Sequence, residues 1–150
     1  MRRTALIAAV LAVNTAQSAS HVLPRDIADV RWNVSSTVFG NFACQGQRDM
    51  AILGVSERTG YVVMVQRARK GTKPTYLTFA TRGRDPGNLR LAIEDLDFES
   101  NEDIKRELEA TAPGLRPSKT CKGLSLGDGE TDSHHIYWDR QRKTFMSWSL

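Results

Sequence analysis

Three acidic side chains alternate near the C-terminal end of the chain, at Asp128, Glu130 and Asp132. Because residues two apart point to the same side of an extended chain, these three carboxylates would share one face. Hard cations such as Ca²⁺ are bound by clustered carboxylate oxygens. The spacing therefore predicts a cation site at 128–132, and the alternative is an acidic β-turn without a ligand.

Histidine is the second residue type here that could hold a metal, and the chain has three. His134 and His135 are neighbours, so on a strand they would point to opposite faces and only one could join a given site. His21 would be the first residue after cleavage of a leader at Ser20. Its amine and imidazole, with one of the other two histidines, would suit copper.

A third candidate for metal binding lies at 38–54, which reads Val-Phe-Gly-Asn-Phe-Ala-Cys-Gln-Gly-Gln-Arg-Asp-Met-Ala-Ile-Leu-Gly. This segment resembles the calcium loop of FG-GAP repeats, the units of integrin-type propellers. In that pattern, loop positions one, three, five and nine supply oxygens, and here they hold Asn41, Ala43, Gln45 and Asp49. The resemblance implies a turn followed by a buried strand. Only Asp49 keeps a carboxylate, so a calcium site would use Asn41 and Asp49, completed by the acids at 128–132 if Cys121 brings the two segments together. The alternative is a loop without calcium that a disulfide at Cys44 holds in place.

Aromatic residues lie on both sides of a short basic stretch near the C-terminus. On paired strands such aromatic side chains usually form core or cross-strand contacts. The alternative is a recognition face for a glycan or a protein, since aromatic rings flanked by arginine are typical of binding surfaces. The predicted binding surface consists of Tyr137, Trp138, Arg140, Arg142 and Trp148.

The same region carries a second resemblance. Residues 129–139 read Gly-Glu-Thr-Asp-Ser-His-His-Ile-Tyr-Trp-Asp. A Gly-Glu-x-Asp-Ser-x-His-x-Tyr-Trp-Asp stretch before a tryptophan-bearing last strand is similar to the end of small exported bacterial proteins of unknown function. The resemblance implies a shared fold and export, and it implies no activity.

Motifs for catalysis are missing from the sequence. There is no Gly-x-Ser-x-Gly elbow, no His-Glu-x-x-His and no glycine loop for phosphate. Asp132, Ser133 and His134 are sequential neighbours, which rarely reach the geometry of a catalytic triad. These observations favour a binding protein over an enzyme, and a hydrolase without a recognisable motif is the third interpretation.

The N-terminus has the pattern of a secretory signal peptide. Arg2 and Arg3 precede an apolar run at 5–13, and small residues follow, with cleavage expected after Ser18, Ala19 or Ser20. Nine helical residues rise about 13.5 Å, less than half of the ~30 Å core of a bilayer. We therefore predict a signal peptide at 1–20, one exported domain at 21–150 without a membrane anchor, and a periplasmic or secreted location.

Export determines how the two cysteines are interpreted. Cys44 and Cys121 are the only cysteines of the chain. Disulfides persist in oxidising compartments, so we expect these two residues to form one structural disulfide.

The charge of the exported domain is small. The whole chain carries +4, and Arg2 and Arg3 account for about half of this. Such a low charge argues against nucleic acid as a partner. Bases dominate 58–90 and acids dominate 94–109, which indicates either two mutually attracting surfaces or a contact with a charged partner.

Short apolar runs rich in β-branched residues predict strands, as at 50–54 and 61–65. One helix is predicted at 101–110, capped by Ser100 and ended by Pro113-Gly114. The last strands, at 135–139 and 144–149, would form a hairpin. The expected class is α+β: mostly antiparallel sheet with one helix near 101–110, a C-terminal hairpin and one disulfide.

These features favour a small exported binding protein. A protein of the cell envelope is the expected partner, with this chain as an inhibitor, an immunity-like protein or an accessory factor. The alternative is an exported metal-binding protein that uses calcium or copper.

Overall fold

A computed structural model describes residues 20–21, 27–80, 86–98, 101–129 and 133–149. In these residues the chain forms one helix and nine strands, and a short 3-10 turn at Pro86–Asn88 precedes β6. The elements are β1 (Ser20–His21), β2 (Arg31–Gly40), β3 (Asp49–Ser56), β4 (Gly60–Gln66), β5 (Thr75–Phe79), β6 (Arg90–Leu96), α1 (Glu102–Thr111), β7 (Ser118–Gly127), β8 (His134–Asp139) and β9 (Thr144–Ser149).

The strands form two antiparallel sheets. The five-stranded sheet has the order β1-β5-β4-β3-β2, and the four-stranded sheet has the order β6-β7-β8-β9. The predicted α+β class is confirmed, as is the C-terminal hairpin, whose turn spans 140–143.

One core joins the two sheets. Alternate residues of each strand point inward, such as Leu53 on β3 and Val63 on β4. They pack against Leu124 of β7, Ile136 of β8 and Phe145 of β9. The most apolar runs of the sequence therefore lie between the sheets, which explains why they are readable as buried strands.

The helix covers the outer face of the four-stranded sheet. Leu108 of α1 and its C-cap residue Ala112 pack there on Leu96 of β6, Cys121 of β7 and Tyr137 of β8. The polar side chains of α1 point to solvent, which leaves the helix only a narrow apolar stripe.

The helix begins one residue later than the sequence indicates. Asn101 is the N-cap, and its side-chain oxygen accepts a hydrogen bond from the Ile104 amide. Ser100, the expected cap, lies outside the described residues. Pro113 and Gly114 follow the end of the helix as predicted, with Gly114 in the left-handed region at φ 88°.

The expected disulfide between Cys44 and Cys121 is present. It joins the loop at 41–48 to β7. Beside it, Asn41 donates a side-chain hydrogen bond to the Thr120 carbonyl, and the Lys122 amide donates to the Asn41 carbonyl. The contacts of Asn41 and Cys44 therefore fix this loop to the four-stranded sheet.

The predicted signal peptide at 1–20 falls almost entirely outside the described residues, which include only Ser20 of it. Ser20 and His21 pair with Thr78 and Leu77 at the edge of the five-stranded sheet. No helix among the described residues has the length and hydropathy needed to cross a membrane.

Candidate binding groove beneath the helix

Three side chains from three strands form a row across the outer face of the four-stranded sheet. Glu94 of β6 forms a hydrogen bond with His135 of β8, with 2.7 Å between Glu94 Oε2 and His135 Nδ1. The imidazole in turn stacks on the indole of Trp148 of β9, with 4.3 Å between ring centroids and 15° between planes. Such a carboxylate contact fixes the orientation of the imidazole ring.

A glycine makes this row possible. Strand β7 lies between β6 and β8, so the side chain of Glu94 must pass over it to reach His135. It does so at Gly123, where an added Cβ would lie 2.8 Å from Glu94 Oε1 and 2.9 Å from its Cγ. Gly123 is therefore needed for close approach and not for a turn.

The row forms part of the floor of a groove of about 500 Å³ between α1 and the sheet. Ile104 and Leu108 form the helical side, and Ile104 is 41% exposed at the rim. Apolar and aromatic side chains dominate the floor. They include Leu96, Phe98, Leu115, Tyr137 and Trp148.

The groove is lined by four carboxylates. Glu94 lies in the floor, Asp95, Asp97 and Glu107 also line the groove, and Asp95 forms an ion pair with Lys122. Among the described residues that line the groove, His135 is the one basic side chain. An accessible aromatic floor with carboxylates around it suits a ligand that combines an apolar group with positive charge.

A buried carboxylate holds the hairpin turn at 140–143 and lies against Gly114, after the end of α1. Asp139 is 0% exposed and accepts hydrogen bonds from the amides of Gln141 and Arg142 and from the Arg142 guanidinium. Burial raises the pKa of this carboxyl group, but the hydrogen bonds outweigh burial, so the net pKa lies below its ordinary value. Burial, with the charge of Asp139, raises the pKa of Tyr137 to about 12, and its hydroxyl donates to the Pro113 carbonyl.

The residues of the predicted binding surface do not share one face. Tyr137 points toward α1 and Trp138 into the core between the sheets, and they are 2% and 8% exposed. Arg140 and Arg142 are exposed in the hairpin turn. The physical reason is that successive side chains of β8 point to opposite faces of the sheet. Trp148, which is half-buried, lines the groove.

The residues predicted to bind calcium in the loop at 41–48 have other partners. Asp49 is 2% exposed and accepts hydrogen bonds from the Ala43 and Ala68 amides, at 2.8 and 2.9 Å. The Asn41 side chain accepts from the Gly46 amide and donates to the Thr120 carbonyl. Backbone amides therefore occupy the oxygens that the FG-GAP resemblance assigns to calcium.

Asp128, the described residue of the acidic cluster, does not lie beside this loop. Asn41 contacts the beginning of β7, whereas Asp128 follows its end, up to about 26 Å away along an extended strand. Glu130 and Asp132 lie outside the described residues. Within the described ranges, no three His, Cys, Asp or Glu side chains are close enough together to hold a metal ion.

The adjacent histidines point to opposite faces, as their positions on one strand predict. His134 packs on Phe79 of the other sheet, with 4.8 Å between ring centroids, while His135 lies in the groove. The copper site predicted at His21 with one of these histidines stays a prediction.

Sequence reasoning missed Glu94 and Gly123 entirely. Strands β6 and β8 are not neighbours in the sheet, so nothing in their sequence separation indicates that Glu94 and His135 meet. The sequence did offer one signal for the groove, the alternation of side chains along β8. It places His135 and Tyr137 on one face of the sheet and Ile136 and Trp138 on the other.

The role of Gly123 leads to a stability prediction. Gly123→Ala would force the Glu94 side chain off β7 and break its contact with His135. We expect a loss of about 1 to 3 kcal/mol, as for other overpacked sites. Urea unfolding measures the loss, and the NMR chemical shifts of the His135 ring at a fixed pH report the broken contact.

Gly46→Ala is the matched control for local crowding, because an added Cβ at Gly46 has no neighbour within 4 Å. Gly46 has a φ of 72°, so that variant measures backbone strain without crowding. Unchanged chemical shifts of the His135 ring in Gly123→Ala would contradict this account of the row.

No protein-family model, no curated protein and no solved structure matches this chain.

Proposed function

We propose that this protein is an exported binding protein of the cell envelope, with the groove beneath α1 as its binding site for a protein partner. In this role it acts as an inhibitor, an immunity-like protein or an accessory factor. The observation that carries the proposal is Trp148: its ring is oriented by stacking on His135 and lines an apolar groove that the fold leaves unfilled. Pre-oriented tryptophans in such pockets are the usual energetic centres of protein interfaces.

The charge of the groove indicates the chemistry of the partner. Four carboxylates and one histidine are among the described residues that line the groove; Glu94 contacts His135, Asp95 pairs with Lys122, and Asp97 and Glu107 have no ion pair among the described residues. The partner segment would present an apolar side chain next to a lysine or an arginine. The apolar side chain would be buried against Trp148, and the basic side chain would lie near the carboxylates of the groove. An acidic or purely polar segment would be repelled or poorly buried.

The proposed location is the periplasm or the outside of the cell. Two observations support it: the signal-peptide pattern at the N-terminus and the disulfide between Cys44 and Cys121, since disulfides are rare in the reducing cytosol. The small size of the domain fits a protein that acts by occupying a partner's surface.

Site-specific photocrosslinking in the exporting bacterium tests the proposed site. Benzoylphenylalanine in place of Ile104 puts the crosslinker at the rim of the groove. Benzoylphenylalanine in place of Val34, which is 76% exposed on β2 of the other sheet, is the matched control. We expect a discrete crosslinked protein from position 104 and none from position 34. Identical products from both positions, or none from either, would count against the groove.

A further inference from the structure

One end of the molecule is strongly basic although the net charge of the chain is small. Four segments contribute to it, at 41–49, 67–74, 116–120 and 139–143. We call this end the basic pole and define it by its ten bases: Arg48, Arg67, Arg69, Lys70, Lys73, Arg116, Lys119, Arg140, Arg142 and Lys143.

Contacts between the segments place them at one end. Asp49 bonds the amides of both Ala43 and Ala68, which joins the first two segments. The Arg67 guanidinium lies 5.4 Å from the centroid of the Trp138 ring, next to the hairpin turn. The hydrogen bond from Asn41 to Thr120 joins the remaining segment.

The four segments contain no exposed carboxylate of their own, and the nearest exposed carboxylates lie on β6 and just after it, where Leu96 pairs with Ser118 and Asp95 with Lys122. The two carboxylates of the segments are Asp49 and Asp139. Both are buried and bonded to backbone amides. Arg142 pairs with Asp139, and none of the other nine bases has a carboxylate within 4.0 Å among the residues that the structure describes.

Two of the guanidinium groups are held in place by aromatic rings. Arg48 lies over Phe39 at 4.7 Å, and Arg67 lies over Trp138. The Nε of Arg67 is buried and has no hydrogen-bond partner within the described ranges. Oriented guanidinium groups favour planar, two-point binding of oxyanions.

The composition of the pole favours phosphate over a protein surface. A protein interface needs an apolar centre, whereas the exposed residues of these segments are almost all basic, amide or small. Six of the ten bases are arginine. We propose that the basic pole binds arrays of phosphate groups, as displayed by anionic phospholipid headgroups or by a free polyphosphate chain.

Binding of the exported, disulfide-bonded protein to three probes tests this proposal. The probes are phosphatidylcholine vesicles with and without phosphatidylglycerol, soluble polyphosphate, and polyglutamate as a carboxylate polyanion. We expect binding to phosphatidylglycerol vesicles or to polyphosphate, steeply weakened by salt because counterions are released. Binding to the vesicles alone assigns the ligand to headgroups, and binding to polyphosphate alone assigns it to a free chain.

Paired variants locate the binding. Arg69→Gln with Lys70→Gln removes two exposed charges of the pole, and Arg31→Gln with Arg90→Gln removes two exposed charges at the opposite end of the strands. We expect the first pair to weaken binding by roughly tenfold to thirtyfold and the control pair to have little effect. All four side chains are exposed, so the unfolding temperature should stay constant.

Three results would overturn the proposal: no binding of the wild type to vesicles or polyphosphate, equal losses in the two pairs, or equal binding to polyglutamate. An acidic protein partner would produce the last of these. Trp148→Ala should leave phosphate binding intact, so the pole and the groove can fail separately.

Discussion

Loss of the bond between Cys44 and Cys121 will lower the free energy of unfolding by about 4 kcal/mol. The cysteines are 77 residues apart, so the bond removes a large amount of conformational freedom from the unfolded chain. For a domain of this size, that loss is a large part of the whole stability. Urea unfolding of Cys44→Ala/Cys121→Ala, compared with the oxidised wild type, measures it.

Two controls separate the bond from the packing of the side chains. Cys121 is buried beneath α1, so Cys121→Ala also removes apolar contacts. The reduced wild type lacks the bond and keeps both side chains, and Cys44→Ala alone removes the bond with little change in the core. The reduced wild type and Cys44→Ala should have nearly the same stability, and the double variant should be less stable than both by the lost packing of Cys121. A reduced protein as stable as the oxidised one would contradict the prediction.

Asp139→Ala will cost about 2 to 3 kcal/mol at neutral pH. The carboxylate accepts three hydrogen bonds in the hairpin turn, and its removal leaves the amides of Gln141 and Arg142 without their acceptors. Asp139 also packs beneath Gly114, so truncation opens a cavity between the turn and the end of α1. Asp139→Asn keeps the shape and the amide acceptor and should lose less.

The lowered pKa of Asp139 predicts how the free energy of unfolding decreases at acid pH. Its stabilising effect is fully present above the ordinary pKa of about 3.8 and is lost as the pH falls through the lower pKa of the folded state. Hydrogen bonds from Ser56 and Arg58 also lower the pKa of Asp29, so some acid dependence will remain without Asp139. Asp139→Asn should flatten the decline in urea stability below about pH 4. An unchanged decline would contradict this assignment.

The strands and the helix could be predicted because each has a local cause. Apolar runs of five to seven residues between glycines fit buried strands, and the pair Pro113-Gly114 ends a helix whatever its surroundings. Prediction of the disulfide required one further inference, that the protein is exported to an oxidising compartment. The helix cap was misplaced because Ser100 and Asn101 are both good caps, and only backbone geometry decides between them.

The groove could not be predicted because it depends on the order of strands in the sheet. Glu94 reaches His135 only because Gly123 lies between them on β7. The order of residues along a strand also explains why the aromatic residues at the C-terminus do not form one surface. Adjacent residues such as Tyr137 and Trp138 are on opposite faces of the sheet. Proximity in sequence is a poor guide to a shared site on a strand.

Net charge does not show how charge is distributed over the surface. The net charge of the exported domain is small, yet the four segments of the basic pole hold ten bases and four carboxylates line the groove. Buried carboxylates such as Asp49 count toward net charge while adding nothing to the surface of the pole. The distribution of charge, and not its total, determines which surfaces bind ions.

The affinity of the partner that crosslinks at position 104 tests the central claim most directly. Its dissociation constant should be measured for Trp148→Ala and for Trp32→Ala, which removes a partly buried tryptophan from the outer face of the other sheet. We predict that Trp148→Ala weakens binding by about thirtyfold or more, as expected for a hot-spot residue, and that Trp32→Ala leaves it unchanged. Equal affinity of the wild type and Trp148→Ala would contradict the groove as the binding site.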